Sequence, residues 1–287
     1  MTKLLYLLGA GRSGTTILSL LVGNQQKVIT LGEMHQFLDT LLEEQTCSCS
    51  ERLENCPFWS PVVTKLLQQY DRETLEKINK DNHRLERHSS IFGAWFGRNM
   101  SYLNFQKSLL DIIAQVHPAE LYVDSSKYNS KGVRLLKSKG IQAKAIYLVR
   151  DVRGVVYSFG KQVQTSKGPL SAIVYYNIIN KISQLVYWRF GRGRILKLRH
   201  EDVLSDPKQT LEKINAFAGI SATVSSAVKP ITMQTGHFIG GNRLVKKESV
   251  VLKTQEDWPK KIAKFGQLIY YFLACPIMII NRYKIRP

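Results

Sequence analysis

The sequence predicts an α/β fold in which helices flank a mostly parallel central sheet. Short apolar runs alternate with longer helical stretches along the chain, and this alternation is typical of parallel sheets. The runs are apolar throughout, which indicates strands that are covered on both faces. With 287 residues, of which 44% are hydrophobic, the chain is long enough to bury a large core. Its composition excludes collagen, coiled coils and disulfide scaffolds.

Five strands and six helices are predicted. The strands cover residues 4–8, 28–31, 121–123, 144–149 and 195–198, and the helices cover residues 15–22, 61–80, 102–115, 152–162, 170–190 and 207–218. The last helix has the clearest start, because Asp206 caps it and Pro207 takes its first position. Ligands bind at the carboxyl ends of the strands in such sheets, so the residues that follow each strand are the candidates for a site.

The chain is strongly basic and therefore predicts an anionic partner. It carries 41 Lys and Arg against 22 Asp and Glu, a formal charge of +19. Acids outnumber bases 11 to 7 over residues 33–88, whereas residues 131–199 hold 15 bases and one acid, Asp151. Nucleic acid, a phosphorylated small molecule or an acidic membrane fits this charge, and so does a plain solvated basic face. Zinc-finger spacing, RNP-type aromatic segments and basic-region heptads do not occur in the sequence.

A glycine-rich loop joins the first strand to the first helix and predicts a phosphate site. It reads Gly9-Ala10-Gly11-Arg12-Ser13-Gly14-Thr15-Thr16. Such a loop lets successive N–H groups and a helix N-terminus converge on one phosphate. The spacing is nearly that of the Walker A loop, but Thr15 stands where the Walker lysine is required. This substitution argues against a triphosphate-hydrolysing site. A simple strand–helix turn is the alternative.

The strand over residues 144–149 ends in a second anion-binding pattern. Arg150 closes this strand, and Ser158 lies two turns into the helix that follows. Alone, the pattern is an ordinary strand end. Together with the glycine-rich loop it predicts two separated anion sites on one edge of the sheet, which suits a ligand phosphorylated at both ends.

These two segments resemble motifs of the sulfotransferases that use 3′-phosphoadenosine 5′-phosphosulfate (PAPS). The family's phosphosulfate loop, [PGA]-[KR]-S-G-T-[TS], is matched at residues 11–16, and its 3′-phosphate motif, R-D-P-R-x-x-x-x-S, is matched with Val152 in place of Pro. Further matches lie at residues 123–127 and 198–203. The likeness is greater to the bacterial, tyrosylprotein and carbohydrate branches than to the cytosolic phenol and steroid enzymes. It implies a P-loop NTPase-like sulfotransferase fold.

The resemblance implies a donor site that requires no metal. Thr15 and Thr16 would hold the 5′-phosphate together with the loop N–H groups, Arg12 would stabilise the leaving oxygen, and Arg150 would hold the 3′-phosphate. A late loop around Arg243 would close over the nucleotide, although a plain turn is the alternative there. The full set expected to bind the donor is Gly11, Arg12, Ser13, Gly14, Thr15, Thr16, Arg150, Ser158, His200 and Arg243.

The expected catalytic residues are Glu33, Arg12 and Lys127. In-line sulfuryl transfer requires a positioned donor, stabilisation of the leaving oxygen and a base for the acceptor proton. The K-T-H segment that supplies a histidine base in phenol-specific members is absent, whereas Glu33 follows the second strand where related enzymes place a catalytic Glu. His35 is a weaker candidate for the base. Lys127 is expected to reach the sulfonate, with a plain surface lysine as the alternative.

The partners implied are the nucleotide donor and an unidentified hydroxyl or amine acceptor, with no nucleic acid. A P-loop-like nucleotide kinase, a basic nucleic-acid-binding protein and an inactive membrane-binding relative remain alternatives. The sequence indicates neither the acceptor nor the oligomeric state.

Three of the four cysteines are close together in the sequence, at Cys47, Cys49 and Cys56. Such thiols bind zinc when a histidine completes the set, or form a local disulfide. A structural role without metal is favoured, because the sequence offers no obvious fourth ligand.

The chain is expected to be a single domain over residues 1–287, with an acceptor-side helical insertion at about 33–116 and an apolar C-terminal segment at 265–287. Residues 268–280 are apolar throughout but too few to span a bilayer, and Arg282, Lys284 and Arg286 follow them. A helix packed on the core and an interfacial membrane anchor are both compatible with this pattern. Since the N-terminus does not read as a signal peptide, we expect a cytoplasmic protein with possible attachment to an anionic membrane.

Overall fold

A computed structural model describes residues 1–161, 166–222, 232–241, 243–246, 248–252 and 257–286. Its centre is a parallel sheet of five strands in the spatial order β2-β3-β1-β4-β5. The strands are β1 (Lys3–Leu8), β2 (Val28–Gly32), β3 (Leu121–Lys127), β4 (Gln142–Val149) and β5 (Ile195–Arg199). The predicted fold class is confirmed, and each predicted strand corresponds to an observed one.

Helices connect the strands and continue beyond the last of them. They are α1 (Thr15–Gly23), α2 (Phe37–Leu42), α3 (Ser60–Leu67), α4 (Arg72–Glu86), α5 (Ile91–Phe96), α6 (Met100–Val116), α7 (Asn129–Leu136), α8 (Val152–Gly160), α9 (Pro169–Phe190), α10 (His200–Ser205), α11 (Pro207–Ala218), α12 (Trp258–Lys261), α13 (Lys264–Leu273) and α14 (Cys275–Ile280). A small antiparallel pair, β6 (Thr232–Gln234) and β7 (Ser249–Val251), completes the fold.

Two predicted helices include residues that are not helical in the structure. The prediction of one helix over residues 61–80 was wrong, because α3 and α4 are separate: the Asp71 side chain accepts a hydrogen bond of 2.7 Å from the Thr74 N–H and starts a new helix. The helix predicted over residues 152–162 ends at Gly160, and Gln162 lies outside the described residues.

Alternation along β1 divides the core into two layers. Leu4, Tyr6 and Leu8 pack against the face that carries α3, α6, α7 and α9, whereas Leu5 and Leu7 pack against the face that carries α1 and α11. All five side chains are buried. The strand is apolar throughout because both of its faces are covered.

The strand order places a topological switch point at the end of β1. From β1 the chain crosses to β2, returns to β3 between them, and then continues to β4 on the other side of β1. The loops that leave β1 and its neighbours therefore diverge and open a crevice at the carboxyl edge of the sheet.

The C-terminal segment packs on the same core. Tyr271, Ala274, Ile277 and Met278 are buried among the residues of the first layer. In the ranges that the structure describes, no helix combines the length and apolar character needed to cross a membrane.

Candidate functional site

All five strands of the parallel sheet end in one cleft of about 960 Å³. Each strand places at least one polar residue there, either at its end or just after it. In spatial order, from β2 to β5, these residues are Glu33, Lys127, Arg12 of the glycine-rich loop, Arg150 and His200. The structure therefore brings together the side chains that the sequence had singled out on five separate segments.

Glycine allows the loop after β1 to approach its neighbours closely. Gly14 has a φ of 92°, and a Cβ on this residue would clash with the His200 ring. Gly9 has a φ of 143°, and a Cβ there would clash with the Leu148 carbonyl. These backbone conformations favour glycine. The result is a tight turn that packs closely against β4 and the His200 ring.

The N-terminus of α1 opens into this cleft. Thr15 and Thr16 line it, and Gly14 at the N-cap position provides no side chain to cap the first N–H groups. Within the described residues, the cleft wall includes every position from 11 to 16 except Ser13. The Ser13 side chain is instead fully buried, and the backbone N–H of Ser13 donates to the Ala10 carbonyl at 3.2 Å.

The two anion sites expected from the sequence contact each other. Arg12 Nε donates a hydrogen bond to Ser158 Oγ at 3.0 Å, and Arg150 Nη1 donates to the Arg12 carbonyl at 2.8 Å. Arg12 has a φ of 68°, so its backbone is in the left-handed region. The Arg12 side chain thus reaches from the loop toward α8, and the two sites form one continuous cationic surface.

Tyr175 is a cleft residue that sequence reasoning missed. Its hydroxyl accepts a hydrogen bond from the Gly11 N–H at 3.0 Å, and its side chain lines the cleft. It belongs to α9, where it is one of many apolar and aromatic residues. No local pattern in the sequence distinguishes Tyr175 from its neighbours.

Glu33 and Lys127 form an ion pair at the other end of the cleft. Gln36 Nε2 lies 3.4 Å from the second Glu33 carboxylate oxygen, and the Glu33 N–H donates to the Ile239 carbonyl at 2.7 Å. The side chains of Glu33 and Lys127 are largely buried, with 14% and 21% of their surface exposed. The carboxylate therefore has a defined position with one cationic neighbour.

An irregularity at the end of β3 aims Lys127 at Glu33. The register of β3 with β1 and with β2 shifts near Asp124, and Lys127 has a φ of 69°. Asp124 Oδ1 accepts hydrogen bonds from both the N–H and the hydroxyl of Ser126. Bulges of this kind redirect a side chain at the edge of a sheet.

A buried charge network supports this bulge from behind. Lys131 Nζ lies 3.5 Å from Asp124 and 3.3 Å from Glu86, and the Tyr102 hydroxyl donates to Glu86 at 2.8 Å. Burial opposes the charge on Lys131, but the two carboxylates outweigh it and raise the pKa of this lysine. The network holds Asp124 in place and with it the strand end that carries Lys127.

His35 lines the cleft in its neutral form. Burial, followed by the nearby Lys131 and Lys127, lowers the pKa of His35 to about 2. The backbone N–H of His35 donates to Ser126 Oγ at 3.0 Å. Its ring packs edge-on against that of Tyr128, with the ring centroids 4.6 Å apart. An imidazole with so low a pKa accepts protons weakly, which makes His35 a poor alternative to Glu33 as a base.

His200 lies at the end of the cleft opposite Glu33, because β5 and β2 are the two edge strands of the sheet. His200 packs on Gly14, and burial together with Arg150 lowers its pKa to about 3. Arg243 opens a 3₁₀ turn at Arg243–Lys246, and the two following residues, Leu244 and Val245, line the cleft. The Arg243 side chain itself lies outside what the structure describes.

Arg153, the second arginine of the matched 3′-phosphate motif, has a structural position outside the cleft wall. Its guanidinium makes two hydrogen bonds with Asp151, of 2.9 and 2.6 Å, and is 1% exposed. Two more hydrogen bonds reach the carbonyls of Lys284 and Ile285 at 2.9 and 2.7 Å. Arg153 therefore fastens the C-terminal segment to the start of α8.

Comparison with solved structures relates this architecture to known enzymes. The sulfotransferase domain from the curacin biosynthetic pathway is 19% identical, with a TM-score of 0.59 and 99% of each chain covered. The sulfotransferase domain of the Synechococcus PCC 7002 olefin synthase is 20% identical, with a TM-score of 0.46 over 77% of this chain and 75% of that one. Mouse sulfotransferase SULT7A1 complexed with PAP is 11% identical, with a TM-score of 0.47 over 98% and 87%.

Comparison of the sequence alone gives one further finding. No curated protein matches the chain. The sequence profile of the sulfotransferase family, however, matches residues 5–223, which include the glycine-rich loop, most of β1 and the other four strands of the parallel sheet. With the motifs, the fold and the family profile in agreement, the chain belongs to the sulfotransferase family.

Proposed function

We propose that this protein transfers a sulfuryl group from PAPS to a hydroxyl or amine group of an acceptor. The observation that carries the proposal is the order of side chains along the sheet edge. Glu33 lies at one end, Lys127 comes next, the glycine-rich loop follows, and Arg150 and His200 lie beyond it. This order matches the parts of an in-line transfer: a base, a transferred group and a phosphate-bearing leaving group.

The residues of the cleft fit a donor that is phosphorylated at both ends. Gly11 lies close to Tyr175, and Gly14 lies close to His200. A side chain at either position would crowd the proposed phosphate-binding loop. The loop and the N-terminus of α1 would hold the 5′-phosphate. Arg150 and Ser158 would hold the 3′-phosphate through charge-assisted hydrogen bonds.

The donor supplies a sulfuryl group attached to a good leaving group, the 5′-phosphate. In the transfer, the acceptor oxygen or nitrogen bonds to sulfur as the bond from sulfur to the bridging phosphate oxygen breaks. Glu33 takes the acceptor proton. Arg12, in the middle of the loop, would stabilise the negative charge that develops on the bridging oxygen.

Lys127 would act between these two groups. β3 lies between β2 and β1 in the sheet, so Lys127 stands between Glu33 and the glycine-rich loop. A sulfuryl group transferred from the loop side to an acceptor beside Glu33 would pass close to the Lys127 ammonium. Lys127 would therefore position the Glu33 carboxylate before transfer and would stabilise sulfonate charge during transfer.

We also propose a peripheral contact with anionic membranes. The observation that favours it is the exposed apolar side of the C-terminal helices, where Phe265, Phe272 and Ile279 are 75%, 60% and 62% exposed. Basic residues flank this side in the sequence and are exposed: Lys260, Lys261, Lys264, Arg282, Lys284 and Arg286. Apolar side chains that insert among headgroups, with bases around them, are typical of interfacial attachment.

A transfer assay with sulfur-labelled PAPS tests the main proposal. Incubation with a mixed metabolite and lipid extract should move label into at least one acceptor, and adenosine 3′,5′-bisphosphate should inhibit the transfer. ATP turnover without such inhibition would favour a kinase, although Thr15 occupies the place of the Walker lysine. Steeply salt-dependent binding of DNA or RNA, with no label transferred, would favour a nucleic-acid-binding protein.

A further inference from the structure

Four potential metal ligands meet beside the cleft, three cysteines that are close together in the sequence and one distant histidine, His237. The sulfur atoms of Cys47, Cys49 and Cys56 and a ring nitrogen of His237 all lie within 4.8 Å of one another. Cys49 Sγ and Cys56 Sγ are 3.6 Å apart, and His237 Nδ1 lies 3.2 Å from Cys56 Sγ and 4.0 Å from Cys47 Sγ. The sequence expectation of a metal-free cluster depended on a missing fourth ligand, and His237 provides it.

These separations agree with the edges of a tetrahedral zinc site. Zinc–sulfur bonds of about 2.3 Å and zinc–nitrogen bonds of about 2.0 Å place two sulfurs about 3.8 Å apart and a sulfur and a nitrogen about 3.6 Å apart. The three measured distances lie within about half an ångström of those values. A disulfide would bring two sulfurs to about 2 Å and leave the third thiol unpaired. All four cysteines of the chain are free thiols in the structure.

The surroundings of the cluster suit thiolate ligands. The backbone N–H of Cys49 donates to the Cys47 sulfur, and the backbone N–H groups of Phe58 and Trp59 donate to the Cys56 sulfur. Trp59 Nε1 also donates to the His237 carbonyl at 3.0 Å. Hydrogen bonds of this type hold ligands in place and stabilise the negative charge on coordinated sulfur.

We propose that Cys47, Cys49, Cys56 and His237 bind one Zn²⁺ ion in a structural site. Three thiolates and one imidazole in a tetrahedral arrangement suit zinc better than magnesium or calcium, which prefer oxygen ligands. Four protein ligands fill the coordination sphere and leave no position for substrate. The ion would therefore act on structure and would take no direct part in the transfer.

The site would fasten two separate segments to each other next to Glu33. The loop that carries the cysteines already contacts the segment around His237: Ser48 Oγ donates to the Gly236 carbonyl at 2.7 Å, and the Ser48 N–H donates to the Phe238 carbonyl at 3.1 Å. Ile239, two residues after His237, accepts the hydrogen bond from the Glu33 N–H. Zinc at this position would hold the segment from His237 to Ile239, which supports the proposed base Glu33.

Metal content of the full-length protein tests the proposal directly. The chain should be purified without a metal-affinity tag and dialysed against buffer free of zinc, and its zinc should be measured by inductively coupled plasma mass spectrometry. We expect close to one zinc per chain. A mercurial reagent should release that zinc as it forms bonds with the three cysteine sulfurs of the cluster. Zinc below about a tenth per chain, or a Cys49–Cys56 disulfide found by peptide mass spectrometry, would overturn the proposal.

Two cysteine variants separate this site from adventitious zinc. Cys49→Ser removes one ligand, whereas Cys275→Ser, in α14, removes a cysteine outside the cluster. Cys49→Ser should lose at least tenfold in zinc affinity, and Cys275→Ser should retain the wild-type zinc content. If Cys49→Ser does not fold, cobalt-substituted wild-type protein provides the second readout, because tetrahedral thiolate coordination gives intense charge-transfer bands. Equal zinc in both variants, or cobalt protein without those bands, would contradict the site.

Discussion

The ammonium of Lys127 forms an ion pair with the carboxylate of Glu33 across the ends of the two adjacent strands β3 and β2. Neither strand alone indicates this pairing, because the residues are separated by 94 positions in the chain. In the proposed mechanism, the pair lies on the side of the cleft where the acceptor is activated. It also makes the proposed base and its partner separately testable.

Glu33→Gln should abolish most turnover while donor binding is retained. The amide keeps the shape of the side chain but does not take a proton, so we expect a loss of roughly 10²–10⁴-fold in kcat. Calorimetry with adenosine 3′,5′-bisphosphate should give a Kd close to the wild-type value. Glu73→Gln, at an exposed carboxylate of α4, is the matched control. Near wild-type turnover in Glu33→Gln would transfer the role of base to His35 or to another residue.

Arg150→Ala should remove the preference for a 3′-phosphate. The wild-type protein should bind adenosine 3′,5′-bisphosphate about 10- to 100-fold tighter than ADP, since hydrogen bonds to a charged group contribute about 1.5–3 kcal/mol. In Arg150→Ala the two affinities should become nearly equal. Ser158→Ala, which removes a neutral partner of Arg12, should have the smaller effect. Equal binding of the two nucleotides by the wild-type protein would exclude this assignment of the donor site.

Arg153→Ala should destabilise the protein and leave the nucleotide preference unchanged. The substitution leaves the buried Asp151 carboxylate without its partner and frees two carbonyls of the C-terminal segment. Breaking a buried pair in this way costs about 3–5 kcal/mol. Urea unfolding measures the loss, with the exposed Arg192→Ala as the control. A stable Arg153→Ala protein that had lost its nucleotide preference would instead make Arg153 a donor ligand.

Local patterns were sufficient to predict the strands of the sheet and the polar residues at their ends. Each strand is a short run of consecutive apolar residues, and the glycine-rich loop is one continuous segment with its own conformational requirements. Strand ends of a parallel sheet meet at one edge, so Glu33, Lys127 and Arg150 could be placed near each other before the structure was known. The residues at the strand ends could therefore be identified from the sequence alone.

Contacts between distant segments could not be predicted in the same way. His237 lies 190 positions from Cys47 and joins the cysteines only through tertiary packing. Tyr175 reaches the glycine-rich loop from the middle of an apolar helix. Arg153 belongs to a motif that suggests phosphate binding, but its guanidinium donates hydrogen bonds to the carbonyls of Lys284 and Ile285. In each case the partner is chosen by the fold and leaves no periodic signal.

Two neutral histidines of the cleft, His35 and His200, should make the protein less stable as the pH falls below about 6.5. Burial lowers the pKa of His35 to about 2 and that of His200 to about 3, so the unfolded chain binds protons that the native protein does not. Each histidine then reduces the free energy of unfolding by about 1.4 kcal/mol per pH unit below 6.5. Urea unfolding at pH 7 and pH 5 measures the effect. His200→Asn should show a flatter profile, and an unchanged slope would contradict its neutral burial.

The exposed side of the C-terminal helices should mediate binding to anionic membranes. Truncation of the segment would also remove the buried Tyr271 and Ile277, so substitutions on the exposed side alone are the more specific change. The bases near the segment contribute about 1 kcal/mol each at an anionic leaflet, and inserted Phe272 and Ile279 side chains add to this. The full chain should sediment with phosphatidylglycerol-containing liposomes at low salt. Binding should decrease in Phe272→Ser/Ile279→Ser but persist in Leu67→Ser, which changes an exposed apolar residue of α3. If the wild-type chain stays in the supernatant at low salt, the exposed side has another role and the membrane contact is excluded.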